Sequence, residues 1–211
     1  CGWMMWNWLI SSLALGATVV LYDGGPFYPD RNILHKLAYE WEITVFGTSA
    51  KYITSLEADN IKPNEISSFP RLRTILSTGS PLVEKNYDYV YKYWKKDVQL
   101  ASISGGTDII SCFALGNPLL PVYRGELQCR GLGMKVEALD EAGKSIINKK
   151  GELVCKQAFP SMPVYFWNDS NGEKYYSAYF DTFLGYWHHG DYLQINKHGG
   201  VKIFGRSDTT L

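Results

Sequence analysis

The sequence has no excess of charge: 21 Lys plus Arg balance 21 Asp plus Glu over 211 residues, a formal net charge of zero. The balance holds along the chain, with 10 basic and 11 acidic residues up to position 110 and 11 and 10 after it. Without a basic stretch there is no face to track a phosphate backbone, and nucleic acid is not an expected partner. Cysteine is scarce as well. Cys1, Cys112, Cys129 and Cys155 make no CxxC pair and no short even spacing, which argues against a zinc site and against a disulfide framework. Reduced thiols in a cytosolic protein are the expectation. Internal repeats and low-complexity segments are missing too. A single long uncharged run, Trp3 to Tyr22, reaches the roughly 20 residues that a membrane-spanning helix needs. Asn7, Ser11, Ser12, Gly16 and Thr18 interrupt it, no Lys or Arg flanks its start, and Gly16 before TVVLY reads as a helix stop followed by a buried strand. No membrane span is expected, and neither a basic start nor a small-residue cleavage site marks a signal peptide.

What the chain does have is apolar mass: 45% hydrophobic and 15% aromatic residues, enough for a packed core and too much for disorder. It opens at Cys1 without an initiator Met and stops at Leu211 just after GRSDTT, so a piece of a longer protein is expected. To about residue 110, short β-branched runs alternate with longer amphipathic ones. TVVLY (18–22), ITVFG (43–47), LRTILS (72–77) and VQLASIS (98–104) are strand candidates. Between them, Asp30 can cap a helix to about Glu42, Thr48 or Ser49 one through Leu56, and Pro81 can open one continuing to Lys96. Such units imply an α/β architecture, a parallel sheet with flanking helices over about 1–110 that binds ligands at the carboxyl ends of its strands. From about 112 to 205 the pattern predicts a small antiparallel β-barrel-like or sandwich region, with turns at EAGKS (141–145) and NKHGG (196–200) and an exposed hairpin or loop at SNGEKYY (170–176).

Three loops carry chemistry. STGSPL (77–82) follows a strand; its small residues let backbone approach a flat ligand, although an ordinary strand-to-helix turn has the same composition. SISGGTDI (102–109) also follows a strand and offers the Thr107 hydroxyl and the Asp108 carboxylate, the latter suited to Mg²⁺; a tight turn with a capping Asp fits equally well. In the tail, GD (190–191) and GRSD (205–208) lie about fifteen residues apart across one hairpin. A carboxylate beside Gly can accept from both ribose hydroxyls, and a nearby Arg can bind ribose or phosphate. His188 and His189 read as loop and packing residues, because no further ligand lies at useful spacing.

In order along the chain, GSP (79–81), GGTD (105–108), GEL (151–153), HGD (189–191) and GRSD (205–208) resemble the motifs of the adenylate-forming acyl-CoA synthetases. The resemblance implies the AMP-binding large domain of such an enzyme, with an α/β subdomain over 1–111, a β-rich subdomain over 112–207, and a hinge at 208–211 leading to a further domain. It implies ATP, Mg²⁺ and coenzyme A as cofactors or substrates. Gly79, Ser80 and Pro81 would wall the adenine; Ser104, Gly105, Gly106 and Thr107 would contact the nucleotide, with Thr107 and Asp108 at the reacting phosphate. Asp191 would hold the ribose, Arg206 the ribose or phosphate side, and Asp208 would be the pivot. Met4, Met5, Thr78 and Gly105 would line the acyl pocket, Met4 and Met5 being equally readable as plain core. Three departures stand out. Asp108 replaces the usual Glu, one methylene shorter, and Ser80 replaces the Glu of acetyl-specific relatives, leaving backbone contacts there. Gly105 stands where those relatives place a Trp that closes the pocket, which makes room for the two extra carbons and ketone of acetoacetate. Another short carboxylic acid, or a nucleotide-binding relative that has lost the reaction, are the alternatives. By the same resemblance the phosphate loop would precede Cys1 and the adenylating lysine would follow Leu211, so the 211 residues alone are expected to lack ligase activity.

Overall fold

The structure is a computed structural model that describes residues 9–208. Met4 and Met5 lie outside the described residues. The first region is built on three parallel strands, β1 (Val45–Ser49), β2 (Thr74–Thr78) and β3 (Gln99–Ser102), adjacent in that order. Helices α1 (Ile33–Glu40), α2 (Ala50–Ala58) and α3 (Glu84–Tyr93) accompany them. Local chemistry sets their starts. Asp30 accepts from the Asn32 amide at 2.7 Å in the turn before α1, and the Ser49 hydroxyl accepts from the Tyr52 amide at 3.1 Å, capping α2 as expected. Helix α3 begins three residues beyond Pro81, because Val83 is still extended. Ile53 and Leu56 of α2 and Val90 of α3 are sealed against Ile75, Leu100 and Trp94, one apolar core between helices and sheet.

TVVLY forms no strand. Gly16 does stop the preceding turn in a left-handed conformation (φ 72°), but no described strand pairs with residues 18–22, and Val20, Leu21 and Tyr22 are exposed. β-branched composition favours a strand only where a neighbour supplies the ladder.

The second region is antiparallel. Strands β7 (Val136–Leu139), β8 (Ser145–Ile146), β9 (Gly151–Cys155), β10 (Trp187–Ile195) and β11 (Val201–Arg206) form one sheet in the order β11-β10-β9-β7-β8. A second sheet joins β4 (Ser104–Gly106), β5 (Ser111–Leu115) and β6 (Cys129–Arg130), with a bridge between Leu127 and Val201 linking the two. Neither sheet closes among the described residues, so the barrel-like expectation gives way to open sheets. With β6 and β8 two residues long, no ladder is continuous enough for closure. The turns at 141–145 and 196–200 fall where expected, with Gly143 and Gly199 at positive φ. Two other expectations change. Ser104–Gly106 is a strand rather than free loop, paired with β5. Part of SNGEKYY is helix α4 (Glu173–Tyr179), because Asp169 accepts from the amides of Lys174 (3.1 Å) and Tyr175 (2.9 Å) and satisfies its first turn. No described helix is long and apolar enough to cross a membrane.

Candidate nucleotide site

On the α/β side the site is made of strand ends. Thr78 closes β2, and its hydroxyl donates to the Ile103 carbonyl just past β3 at 3.2 Å, fastening the two carboxyl ends together. Gly79 (φ 87°), Ser80 and Pro81 then run exposed across that edge. Gly105 sits at an irregularity in the β4–β5 pairing, where a Cβ would overlap the Ser111 carbonyl oxygen and stand 2.9 Å from Cys112 Cα. Strand pairing by itself therefore demands glycine at 105, a second cause beside any need for acyl space.

On the β side, register does the positioning. Asp191 of β10 and Arg206 of β11 are directly opposed, so the GD and GRSD motifs meet across one hairpin. Asp191 is buried, with Arg206 Nη1 3.7 Å from its Oδ2. Burial raises the Asp191 pKa above the ordinary carboxylate range, against the lowering influence of Arg206. Arg206 is gripped from beyond: its Nε donates to Asp208 Oδ1 at 2.8 Å and its Nη2 to Oδ2, which lowers the Asp208 pKa. Ser207 is fixed at both ends, its amide donating to the Gly190 carbonyl at 2.8 Å and its hydroxyl to Glu152 Oε2 at 2.7 Å. His188 Nε2 meets the same Glu152 oxygen at 3.0 Å. Glu152 belongs to the GEL motif, to which the sequence assigned no role. His189 is buried, and desolvation lowers its pKa to about 4, so the ring is neutral. Its Nδ1 accepts from Trp187 Nε1 at 3.3 Å, which assigns the ring proton to Nε2, 3.9 Å from Asp191 Oδ2.

The two sides meet at Gly106. A Cβ there would overlap Asp108 Oδ1 and stand 2.6 Å from His189 Nε2, so the GGTD turn presses on the start of the HGD segment. Asp108 Oδ2 accepts from the Tyr179 hydroxyl of α4 at 2.7 Å. Tyr179 is the site residue sequence reading missed; the spacing of Tyr175 and Tyr179 downstream of Asp169 was the available signal. Thr107 is exposed. Among the described residues no three His, Cys, Asp or Glu side chains gather to hold a metal. Asp108, with one oxygen engaged by Tyr179, suits a Mg²⁺ ion that arrives already bound to phosphates and offers too few donors for a lone ion. Burial pushes the Cys112 thiol up to about 11, which leaves it inert.

By fold the described residues are similar to two solved enzymes, a CoA synthetase and a CoA ligase. The chain superposes with a TM-score of 0.91 at 42% identity on an acetoacetyl-CoA synthetase from Streptomyces lividans, covering all of this chain and 33% of that one. An anthranilate CoA ligase solved with anthranoyl-AMP shares the fold at TM-score 0.78 and 19% identity over 96% of this chain and 37% of that one. In sequence the chain is similar to acetoacetyl-CoA synthetases. It is 56% identical over 211 residues to the one from Rhizobium meliloti (strain 1021) and 57% to the one from Danio rerio, covering the whole chain and 32% and 31% of those proteins. No family model matches. The chain spans about a third of the length of the curated relatives it matches.

Proposed function

We propose that this chain supplies the nucleotide cradle of an acid–thiol ligase that makes acetoacetyl-CoA from acetoacetate, ATP and CoA through an acyl-adenylate. The observation that carries the reading is the register that sets Asp191 against Arg206, next to the GGTD turn. A carboxylate is a poor acyl donor until its oxygen is made a leaving group. The acid oxygen attacks the α-phosphate, forming acyl-AMP and releasing pyrophosphate; the CoA thiol then attacks the acyl carbon and AMP leaves. No protein nucleophile is needed, in keeping with the inert Cys112.

In this reading Asp191 accepts from the ribose hydroxyls, Gly79, Ser80 and Pro81 back the adenine, and Ser104, Gly105, Gly106 and Thr107 lie along the phosphates. Asp108 faces the polyphosphate, where Mg²⁺ supplies charge neutralisation when bound. Arg206 exchanges Asp208 for a nucleotide oxygen, and Asp208, the first residue past the anchored Ser207, serves as the hinge. Thr78 and Gly105 line the acyl side. Large-domain boundaries at 1–207, with subdomains meeting near 111, and a cytosolic setting that supplies ATP and CoA belong to the same proposal.

The test is acetoacetate-dependent ATP–pyrophosphate exchange by the intact protein across a panel of short acids. Acetoacetate is expected to lead, and preference for butyrate would overturn the substrate. The isolated 211-residue polypeptide is expected to show no exchange; any acetoacetate-dependent signal from it would remove the need for elements outside this chain.

A further inference from the structure

Asp108 is restrained from one side by an unusually fixed partner. The Tyr179 hydroxyl donates to Oδ2 at 2.7 Å, while Oδ1 lies on the Gly106 side, facing His189. Tyr179 has little freedom of its own. Its ring stacks on Trp187 with centroids 3.6 Å apart and planes 15° from parallel, and Phe166 and Tyr175 stand edge-on at 5.7 and 5.5 Å. Trp187 in turn is buried among Phe159, Phe180 and Tyr175. A phenol wedged this way is a donor at a set point. A carboxylate with one oxygen on such a donor cannot rotate freely about its Cβ–Cγ bond, so its other oxygen is offered in one direction.

The identity of the donor matters. Among the described residues Asp108 makes no ion pair with Lys, Arg or His within 4.0 Å, and Arg206 acts on it only from beyond that distance. A guanidinium or ammonium at the position of Tyr179 would orient the carboxylate and neutralise it together; a phenol orients it and leaves the charge for an approaching cation.

We propose that Tyr179 is a positioning residue for Asp108, holding one carboxylate oxygen so that the other meets the polyphosphate and its divalent cation. The inference rests on the reading above that Asp108 faces the reacting phosphates. It gives helix α4 and its Asp169 cap a role: they carry the phenol, 71 residues downstream in sequence, to the GGTD turn.

The experiment is calorimetric binding of MgATP, and of AMP without metal, to the intact protein as wild type, Tyr179→Phe, Asp108→Asn and the double variant. Phenylalanine keeps the ring on Trp187 and removes only the hydroxyl. Tyr179→Phe is expected to weaken MgATP about tenfold and to leave AMP within about twofold of wild type, and the double variant to bind MgATP no more weakly than Asp108→Asn alone. The proposal is overturned if Tyr179→Phe binds MgATP like wild type, if both nucleotides weaken alike, or if its effect adds in full to that of Asp108→Asn. These contrasts need no acyl substrate. A wild type that binds MgATP but makes no acetoacetyl-adenylate overturns the ligase reading and leaves Tyr179 to stand or fall on its own contrast; a wild type that binds neither nucleotide overturns both.

Discussion

The two regions of the molecule build their shares of the site by different physical means. The α/β region contributes backbone: Gly79, Ser80 and Pro81 at the end of β2, and Gly105 and Gly106 just past β3, where the glycines' missing side chains are the useful property. The antiparallel region contributes side chains: Asp191, Arg206, Ser207, Asp208 and Glu152, linked to one another by ion pairs and hydrogen bonds across three strands. Parallel strands end at one edge and leave bare amides and small turns there, whereas a hairpin fixes which side chains stand opposite each other. A ligand bridging both would take shape from the first and charge from the second.

The largest expected effect tests the backbone side. Gly105→Ala drives a Cβ into the Ser111 carbonyl, which is backbone and cannot swing aside. We expect a loss of about 3 kcal/mol in urea unfolding, the upper range for overpacking. A loss below about 1 kcal/mol would mean that the β4–β5 pairing yields and that glycine at 105 answers to the acyl pocket alone.

Each region also encloses one neutral histidine, and the pair gives an acid-side test. His35 of α1 is fully buried, both ring nitrogens lack a partner among the described residues, and desolvation lowers its pKa to about 4. His189 is lowered to about 4 by the same cause. The unfolded value is near 6.5, so the unfolded chain takes up protons that the folded chain refuses. Stability is present in full above the unfolded value and is lost as pH falls toward the folded one. Each ring accounts for about 3 kcal/mol across that window. His35→Leu should therefore flatten the decline between pH 6.5 and 4 by about half, measured as urea midpoints at the two ends. An unchanged slope would show that water reaches His35.

Asp191→Asn separates binding from stability. Because burial raises the Asp191 pKa, the ionised carboxylate is held at a cost to the fold, and removing the charge should leave the melting temperature unchanged or higher. The same change should weaken AMP by about tenfold through loss of a charge-assisted acceptor. Lower melting together with unchanged AMP binding would make Asp191 a structural partner of Arg206.

The difference between the regions also explains what could be read from residues alone. The strand-end loops announce themselves, because Gly, Ser and Pro after a β-branched run leave few other placements; GSP fell at the end of β2 as expected, whereas the glycines of GGTD, just past β3, belong to β4. The pairing of Asp191 with Arg206 was readable because one tight turn joins their strands. Links that depend on distant register were not. Glu152 reaches Ser207 across 55 residues, and no local pattern announces that contact. Helix α4 was hidden by turn-like residues at its start, while the carboxylate that caps it, Asp169, lies outside the motif that drew attention. TVVLY failed for the complementary reason, since a strand needs a partner that composition does not reveal.

The smallest expected effect bears on the exposed rim of the α/β side. Gly79 has a φ of 87°, where an L side chain is strained, yet nothing lies within 4 Å of an added Cβ. Gly79→Ala should therefore cost about 1 kcal/mol through backbone strain alone, with no packing penalty. That is roughly a third of the loss expected at Gly105, and the difference isolates steric contact from dihedral preference. Function gives a second reading of the same variant. If the Gly79 backbone lies against adenine, the Cβ enters the ligand's space in the bound state only, so AMP should weaken by more than the strain predicts. Equal AMP binding by wild type and variant would move the adenine off this loop and leave the α/β side with Ser104, Gly105, Gly106 and Thr107 as its contacts with the nucleotide.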